Sequence, residues 1–537
     1  MNASDKGKED FMKYADFLTD VFQFPFHKKK VIFLISACLL MVSFTATATK
    51  VSVQQTEAAE AKQLIKQAEK LTRRGELVEA ENLLRGIIER SPENSAAKLA
   101  LGYTLLKQRR LVEAYDLSIA VARAEPKNSR AFAVLGTALL NAGNFRDAKI
   151  SFINAVKLNN QEALAWSGYG MLDFYENRIL QGLESLREAV YLAPQEPDFV
   201  YALAQVSARA EKYKEASEAY KRYLQISPQT EVERRDRIKG LVNFLRFLGN
   251  RSSLYDVDGA EQTVVSFKLK NDRPIIQIKL DKSGESLNFI LDTGSGISVI
   301  SEETAERLKI KPITRGGLAR GIGGAGKFEI VYGFLPAVYI GDAKIKNVPI
   351  YIRKFHATNE KVDGYIGLSL ISKFLTTIDY GNQTFTLVSK KVFDKQKNET
   401  SALSLPLRLT SSGFLSGEVQ LEGIKAPLNF IVDTGASISV ISNELAGLKE
   451  ISQFVRAEKM RVVGAAGITE EMPSYLLPKI SFGTNSRESV KAVALNLSII
   501  NETSGFQQAG ILGGNFLKNY RLTFDFANSK VIFVPIK

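Results

Sequence analysis

The sequence predicts a multidomain chain: an N-terminal transmembrane helix, then an all-α solenoid, then two all-β domains of one design. Three observations carry this. Residues 31–48 form the one uncharged stretch of 18 residues. Small residues and prolines recur every 34 positions between about 61 and 228. Residues 288–301, NFILDTGSGISVIS, return at 429–442 as NFIVDTGASISVIS, with eleven of fourteen positions identical.

Composition narrows the function classes. The 537 residues are 45% hydrophobic and 24% charged, a globular balance. The net charge of +13 comes without basic runs interleaved with aromatics, zinc-ligand spacing or a Gly-Lys-Ser/Thr phosphate loop. It therefore reads as a solvated basic surface, with attraction to an anionic membrane as the alternative, and no nucleic-acid partner is expected. A single cysteine, Cys38, excludes an intramolecular disulfide framework. With only His27 and His356 in the chain, a Ser-His-Asp triad or a His-rich metal site is not expected. Hydrolytic chemistry here has to use carboxylates, with no metal and no cofactor.

The first element, residues 31–49, meets the lower length limit for a membrane span. His27 and Lys28 to Lys30 precede it, and Lys50 alone begins the far side. Positive charge stays cytoplasmic, so residues 1–30 are expected inside and the rest outside the cytoplasm. Ala46-Thr47-Ala48 also fits a signal-peptidase site, but thirty preceding residues are long for a signal peptide. The expectation is an uncleaved single-pass anchor in a cell inner membrane, with the C-terminal domains in the periplasm or otherwise exported.

The second element, 57–250, follows from the 34-residue ladder. Pro92, Pro126, Pro194 and Pro228 keep this interval or its double, and so do Ala80, Ala114, Ala148, Gly182 and Ala216. Gly102, Gly136, Gly170 and Ala204 form a third series. Such a period means two short helices per unit, with small residues where paired helices touch. The segment resembles tetratricopeptide repeats, best in the unit carrying Trp166, Gly170, Ala189 and Pro194. The resemblance implies five repeats and a groove that holds a protein partner. The polar helix expected at 231–248 suits the open end of the solenoid.

The last two elements, 263–391 and 402–537, are copies of one domain divided by the charged linker 390–400. β-branched alternation replaces helical periodicity after about 262. Three landmarks recur in order: the Asp-Thr-Gly triplets, GGAG at 323–326 against GAAG at 464–467, and 363–380 against 509–526. In each copy a buried strand delivers an aspartate into a glycine turn, where a carboxylate is costly unless paired or hydrogen-bonded.

These residues resemble the retropepsin-like aspartic proteases. The first family motif falls on residues 291–295 and 432–436, and the second, two hydrophobics and a glycine before a helix, on Tyr365-Ile366-Gly367 and Ile511-Leu512-Gly513. The resemblance implies that the copies pair about a pseudo-twofold axis, so that Asp292 and Asp433 form one catalytic dyad. Thr293, Gly294 and Ser295, with Thr434, Gly435 and Ala436, would support it, and Thr293 and Thr434 would bond across the interface. Gly323, Gly324, Gly326, Gly464 and Gly467 fall where flap hairpins would close over substrate. The implied activity is a membrane-anchored aspartic endopeptidase whose repeats recruit substrate or partner. Three alternatives are a catalytically silent peptide-binding scaffold, pairing of each copy with its twin in a second molecule, and a structural scaffold with no groove ligand. The short linker favours pairing within the chain. Ser295 can donate to its own loop's aspartate and Ala436 cannot, which places the negative charge on Asp292 and the proton on Asp433. Asp363 faces Ala509 in the alignment and is not expected to be catalytic; Asp379 and Asp525 read as turn residues.

Overall fold

The computed structural model describes residues 44–536 except 230–231, 252, 325, 357–360, 390–403 and 407. Residues 1–30, most of the expected membrane segment and the linker 390–400 lie outside the described residues. Among the described residues, no helix is long and apolar enough to cross a membrane.

From Phe44 to Ile226 the chain is five antiparallel helix pairs. The 34-residue period has a local cause at the start of the first helix in three of the pairs. Asn94 and Asn128 accept the amides of Ala97 and Ala131 at 3.0 and 3.1 Å, and Glu162 takes the same place one repeat on. These caps satisfy amides that the first turn leaves free. The small residues sit where helices touch. Ala80, Ala114, Ala148 and Ala216 are fully buried, and a Cβ on Gly182 would come within 2.6 Å of the Gly170 carbonyl.

The terminal helix, Val232–Gly249, is covered on two sides. Ile238, Val242, Phe244, Leu245 and Leu248 are buried, and the helix lies between the solenoid and the strand Thr314–Arg320 of the first β-domain. A Cβ on Gly240 would meet the Arg315 carbonyl oxygen at 2.4 Å. Phe244 stacks on Tyr332 with centroids 4.5 Å apart, and Glu233 pairs with Lys327. The solenoid also grips the second β-domain. Phe506 inserts edge-on against Phe145 and Tyr175 at 4.9 and 5.1 Å, Arg408 lies over the Phe145 ring, and the Gln507 amide donates to the Asn141 carbonyl. Part of the repeat surface is thus already used within the chain.

Each β-domain is built on its own sheet, of nine and eight strands. The strand Asp256–Gly259, before the segment the sequence marks as β-domain, already pairs with Ala343–Arg353. A third sheet of six strands draws on both copies. Its centre is the antiparallel pair Phe374–Asp379 and Tyr520–Asp525, flanked on each side by strands from the same copy. Thr377 and Thr523, equivalent in the two copies, bond each other through their hydroxyls at 3.0 Å. A twofold relation between copies puts equivalent residues opposite each other in this way.

Candidate active site

In the first copy, Phe289, Ile290 and Leu291 are buried in the strand Leu287–Leu291, which runs parallel to Gly364–Ile366. That pairing explains why the second motif needs two hydrophobics. The Asp292 amide donates to the Ile366 carbonyl at 3.0 Å, and the Asp433 amide to that of Leu512 at the same distance. Gly367 and Gly513 then turn the chain into a short helix. Their amides donate to the Ser298 and Ser439 hydroxyls, both at 3.1 Å.

The two Asp-Thr-Gly loops meet in the interior. Thr293 and Thr434 are both 0% exposed. Each hydroxyl accepts the other threonine's amide, at 3.0 and 3.1 Å. Each hydroxyl also donates across the interface, to the Val432 and Leu291 carbonyls, at 2.7 Å in both cases. Four reciprocal bonds therefore fix one loop against the other. Gly294 and Gly435 serve close approach rather than an unusual turn. A Cβ on Gly294 would lie 2.4 Å from the Asp433 carboxyl carbon, and one on Gly435 would lie 2.6 Å from that of Asp292.

Asp292 and Asp433 consequently share one site, close enough for each carboxyl to act on the other. Burial pushes both carboxyls up, and the neighbouring carboxylate pushes Asp292 further. The loops are not equivalent. Asp433 Oδ1 accepts the amides of Gly435 at 2.8 Å and Ala436 at 3.1 Å, with the Gly294 amide adding to them. Asp292 Oδ1 accepts the Gly294 amide alone of its own loop, at 2.9 Å. The Ser295 hydroxyl does not reach Asp292; it donates to the Ile297 carbonyl at 2.8 Å. The donation expected from Ser295 to Asp292 is therefore not made. The amides favour charge on Asp433, while burial and the neighbouring carboxyl raise Asp292, which favours the proton there. The side-chain difference between Ser295 and Ala436 suggested the opposite because backbone donors cannot be seen in side-chain identity.

The five flap-segment glycines sit at the tips of two hairpins, formed by Thr314–Arg320 with Lys327–Ile340 and by Val455–Gly464 with Gly467–Phe482. The tips bond each other. The Ala466 amide donates to the Ile322 carbonyl at 2.9 Å and the Gly324 amide to that of Ile468 at 3.2 Å. Gly323 and Gly467 have φ of +95° and +136°, where a side chain would be strained. A continuous cavity of about 2600 Å³ runs from the dyad and flaps to the solenoid, where Met171, Tyr201 and Arg209 line it.

The other carboxylates have structural work. Asp363 is buried and accepts from the Asn288 amide, Thr304 and Arg307. Asp379 and Asp525 accept amides two to three residues ahead, as turn residues do. One cleft residue escaped sequence reasoning. Arg353 ends the strand Ala343–Arg353, and its charge acts on Asp292. No motif marks it, and only the register of that strand shows where it falls.

Comparison with known families agrees with this construction. Residues 276–370 and 417–516 match the aspartyl protease family, and residues 71–135 and 170–230 match two families of tetratricopeptide repeat. The chain carries two retropepsin-like aspartyl-protease domains in tandem, preceded by tetratricopeptide repeats. No curated protein matches it. Similar solved structures include a thermophilic TPR protein of Thermus thermophilus, 20% identical over 34% of this chain and 98% of that one, with a TM-score of 0.30. PilF of Pseudomonas aeruginosa is 16% identical over 36% of this chain and 89% of its own, with a TM-score of 0.27.

Proposed function

We propose that the chain is an aspartic endopeptidase in which Asp292 and Asp433 hydrolyse peptide bonds through an activated water. The observation that carries this reading is the reciprocal threonine bonding, which holds two half-buried carboxyls together in one cleft. Like charges this close cannot both ionise, so the pair keeps one proton over a broad pH range. Asp433, stabilised by amides, takes a proton from a water between the carboxyls. The water oxygen bonds to the scissile carbonyl carbon while Asp292 gives its proton to the carbonyl oxygen. Collapse of the resulting diol breaks the C–N bond: the leaving amine takes the proton that Asp433 acquired, and a diol hydroxyl returns a proton to Asp292.

The flap tips, bonded to each other and lining the same cavity as the dyad, supply a cover that excludes water and holds an extended peptide. The solenoid faces the same cavity, so a protein recruited by the repeats has a direct path to the cleft. The apolar segment 31–48 and its preceding lysines favour an anchored, exported enzyme. Resistance to carbonate extraction, with protease access from the non-cytoplasmic side only, is the expected behaviour; release by carbonate would sink the anchor.

A mixed peptide library incubated with the protein between pH 3 and 8, and read by mass spectrometry, tests the activity. Cuts made by the parent and lost in both Asp292→Asn and Asp433→Asn are expected. Folded parent that cuts nothing at any pH would overturn the proposal in favour of a silent peptide-binding scaffold.

A further inference from the structure

The two walls of the cleft differ in chemistry, and strand register shows where. Arg353 pairs with Ser301 in the first copy; at the equivalent place in the second, Leu495 pairs with Ser442. Tyr365 lies beside Ile290, and its equivalent Ile511 lies beside Ile431. The second wall is thus aliphatic, with Ile431, Val493, Leu495, Ile500 and Ile511 packed together. The first wall replaces two of these with a guanidinium and a phenol.

Arg353 is held rather than free to sweep. Its guanidinium lies 5.2 Å from the Phe328 ring centroid, 5.5 Å from Phe355 and 5.9 Å from Tyr365. Phe355 and Tyr365 are themselves in edge contact at 5.1 Å. Aromatic faces stabilise the cation without consuming its N–H groups. Its Nε is buried and makes no hydrogen bond, and no carboxylate among the described residues forms an ion pair with it. Asp292 is the carboxyl whose charge acts on it, without forming an ion pair. All four residues line the same cavity as the dyad. A fixed, half-buried cation with open donors beside the reacting centre fits a carboxylate, which a guanidinium binds through paired N–H groups.

We propose that Arg353 makes one side of the cleft a subsite for a peptide carboxylate, so that the substrate carries an acidic group on one side of the scissile bond and an aliphatic residue on the other. This rests on the endopeptidase reading for its location. A residue confined to shaping the cleft would not discriminate glutamate from glutamine.

The test uses the full chain and peptides with a reduced, uncleavable central bond, identical except for Glu or Gln at the residues flanking it. Binding is read at pH 7 by fluorescence anisotropy, with each peptide made as the C-terminal acid and the amide. The parent is expected to bind the Glu peptide tighter than the Gln peptide, on the order of 10- to 100-fold, as a charge-assisted bond gives. Arg353→Leu, which copies the second wall, should abolish that difference, so that the Glu and Gln peptides bind alike. Arg353→Glu should invert it toward a Lys peptide. A preference retained by amidated peptides assigns the site to a side chain; one lost on amidation assigns it to a chain terminus. Equal binding of Glu and Gln peptides by the parent, or a preference unmoved by Arg353→Leu, would overturn the inference. Because the peptides are uncleavable, this result is independent of whether the dyad is active.

Discussion

Replacing Thr293 by valine tests the construction at its centre. Valine keeps the shape of threonine, so the change removes a hydroxyl without opening a cavity. Two bonds go with it: the donation to the Val432 carbonyl at 2.7 Å and the acceptance from the Thr434 amide at 3.0 Å. Both partners lie at a site that is 0% exposed for each threonine, so water cannot replace the lost bonds. Each stranded polar group costs about 1–3 kcal/mol, which gives about 2–6 kcal/mol for the pair. The Thr434 hydroxyl still bonds the Leu291 carbonyl and the Thr293 amide, so half of the contact survives. The loss should therefore fall on the junction of the two copies rather than on either domain alone. Hydrogen exchange read by mass spectrometry should show faster exchange in peptides covering 432–435 and 291–294, with the outer strands unchanged. Peptide cleavage should fall by on the order of 100-fold, since small displacements of a dyad are expensive. Thr293→Ser, which keeps the hydroxyl, should retain most of both properties. If valine exchanged and cleaved like the parent, or if serine failed as badly as valine, the reciprocal threonine bonds would not be what holds the dyad together.

Further outcomes follow from the same geometry. Burial and Asp433 raise the Asp292 carboxyl, while Arg353 lowers it; Arg353→Leu should therefore move the alkaline limb of the pH–rate profile to higher pH. A carboxyl raised in the folded state contributes stability that is complete below its unfolded value, about 3.9, and is lost as pH rises through the folded value. Asp292→Asn should then match the parent in thermal melts near pH 3 and exceed it at pH 7; a lower melting temperature at pH 7 would count against a raised carboxyl. Gly464→Ala would place a Cβ 2.2 Å from the Ile322 carbonyl oxygen, so it should separate the flap tips and raise KM for long peptides, and an unchanged KM would argue against closure through the tips. Gly240→Ala should gain about 1 kcal/mol of helix propensity yet clash with the backbone of Arg315 and Gly316. Cleavage should drop on the order of tenfold or more while helix content by circular dichroism stays constant; unchanged cleavage would mean that the helix does not brace the flap.

Much of this molecule is written in repetition, and repetition can be read from one sequence. The 34-residue ladder marks the helix pairs because a small residue is needed at each contact, as Gly170 and Gly182 show. The doubled Asp-Thr-Gly stretch marks the two loops, and the later hydrophobic pair with glycine marks the strand beside each. What stays illegible is carried by non-repeated contacts and by the backbone. Amide donors set the polarity of the dyad, and no side chain announces them. The helix Val232–Gly249 reads as polar because its charged face is long, while the face that meets the flap strand is made of scattered residues such as Gly240 and Phe244. Arg353 lies in no motif and gains its meaning only from the parallel register that brings it beside Ser301.

The differences between the copies share one physical origin. In a symmetric pair of separate chains, any change on one wall of the cleft appears on the other as well. A cation introduced at the end of this strand would then face a second cation across the dyad, and a like-charge pair around a half-buried carboxyl would depress its proton affinity twice. Joining the copies in one chain removes that constraint. Arg353 can stand opposite Leu495, Tyr365 opposite Ile511, and the Thr293 and Thr434 loops can keep their mutual bonds unchanged. The contacts that must be reciprocal have stayed reciprocal, down to paired distances of 2.7 Å and 3.0–3.1 Å. Those on the two walls of the cleft differ between the copies. The solenoid adds a further asymmetry, since its terminal helix braces the flap of the first copy while the Phe145–Phe506 contact holds the second domain. Substrate selection should accordingly respond to single changes on one wall, whereas the chemistry should fail with a change to either Asp-Thr-Gly loop.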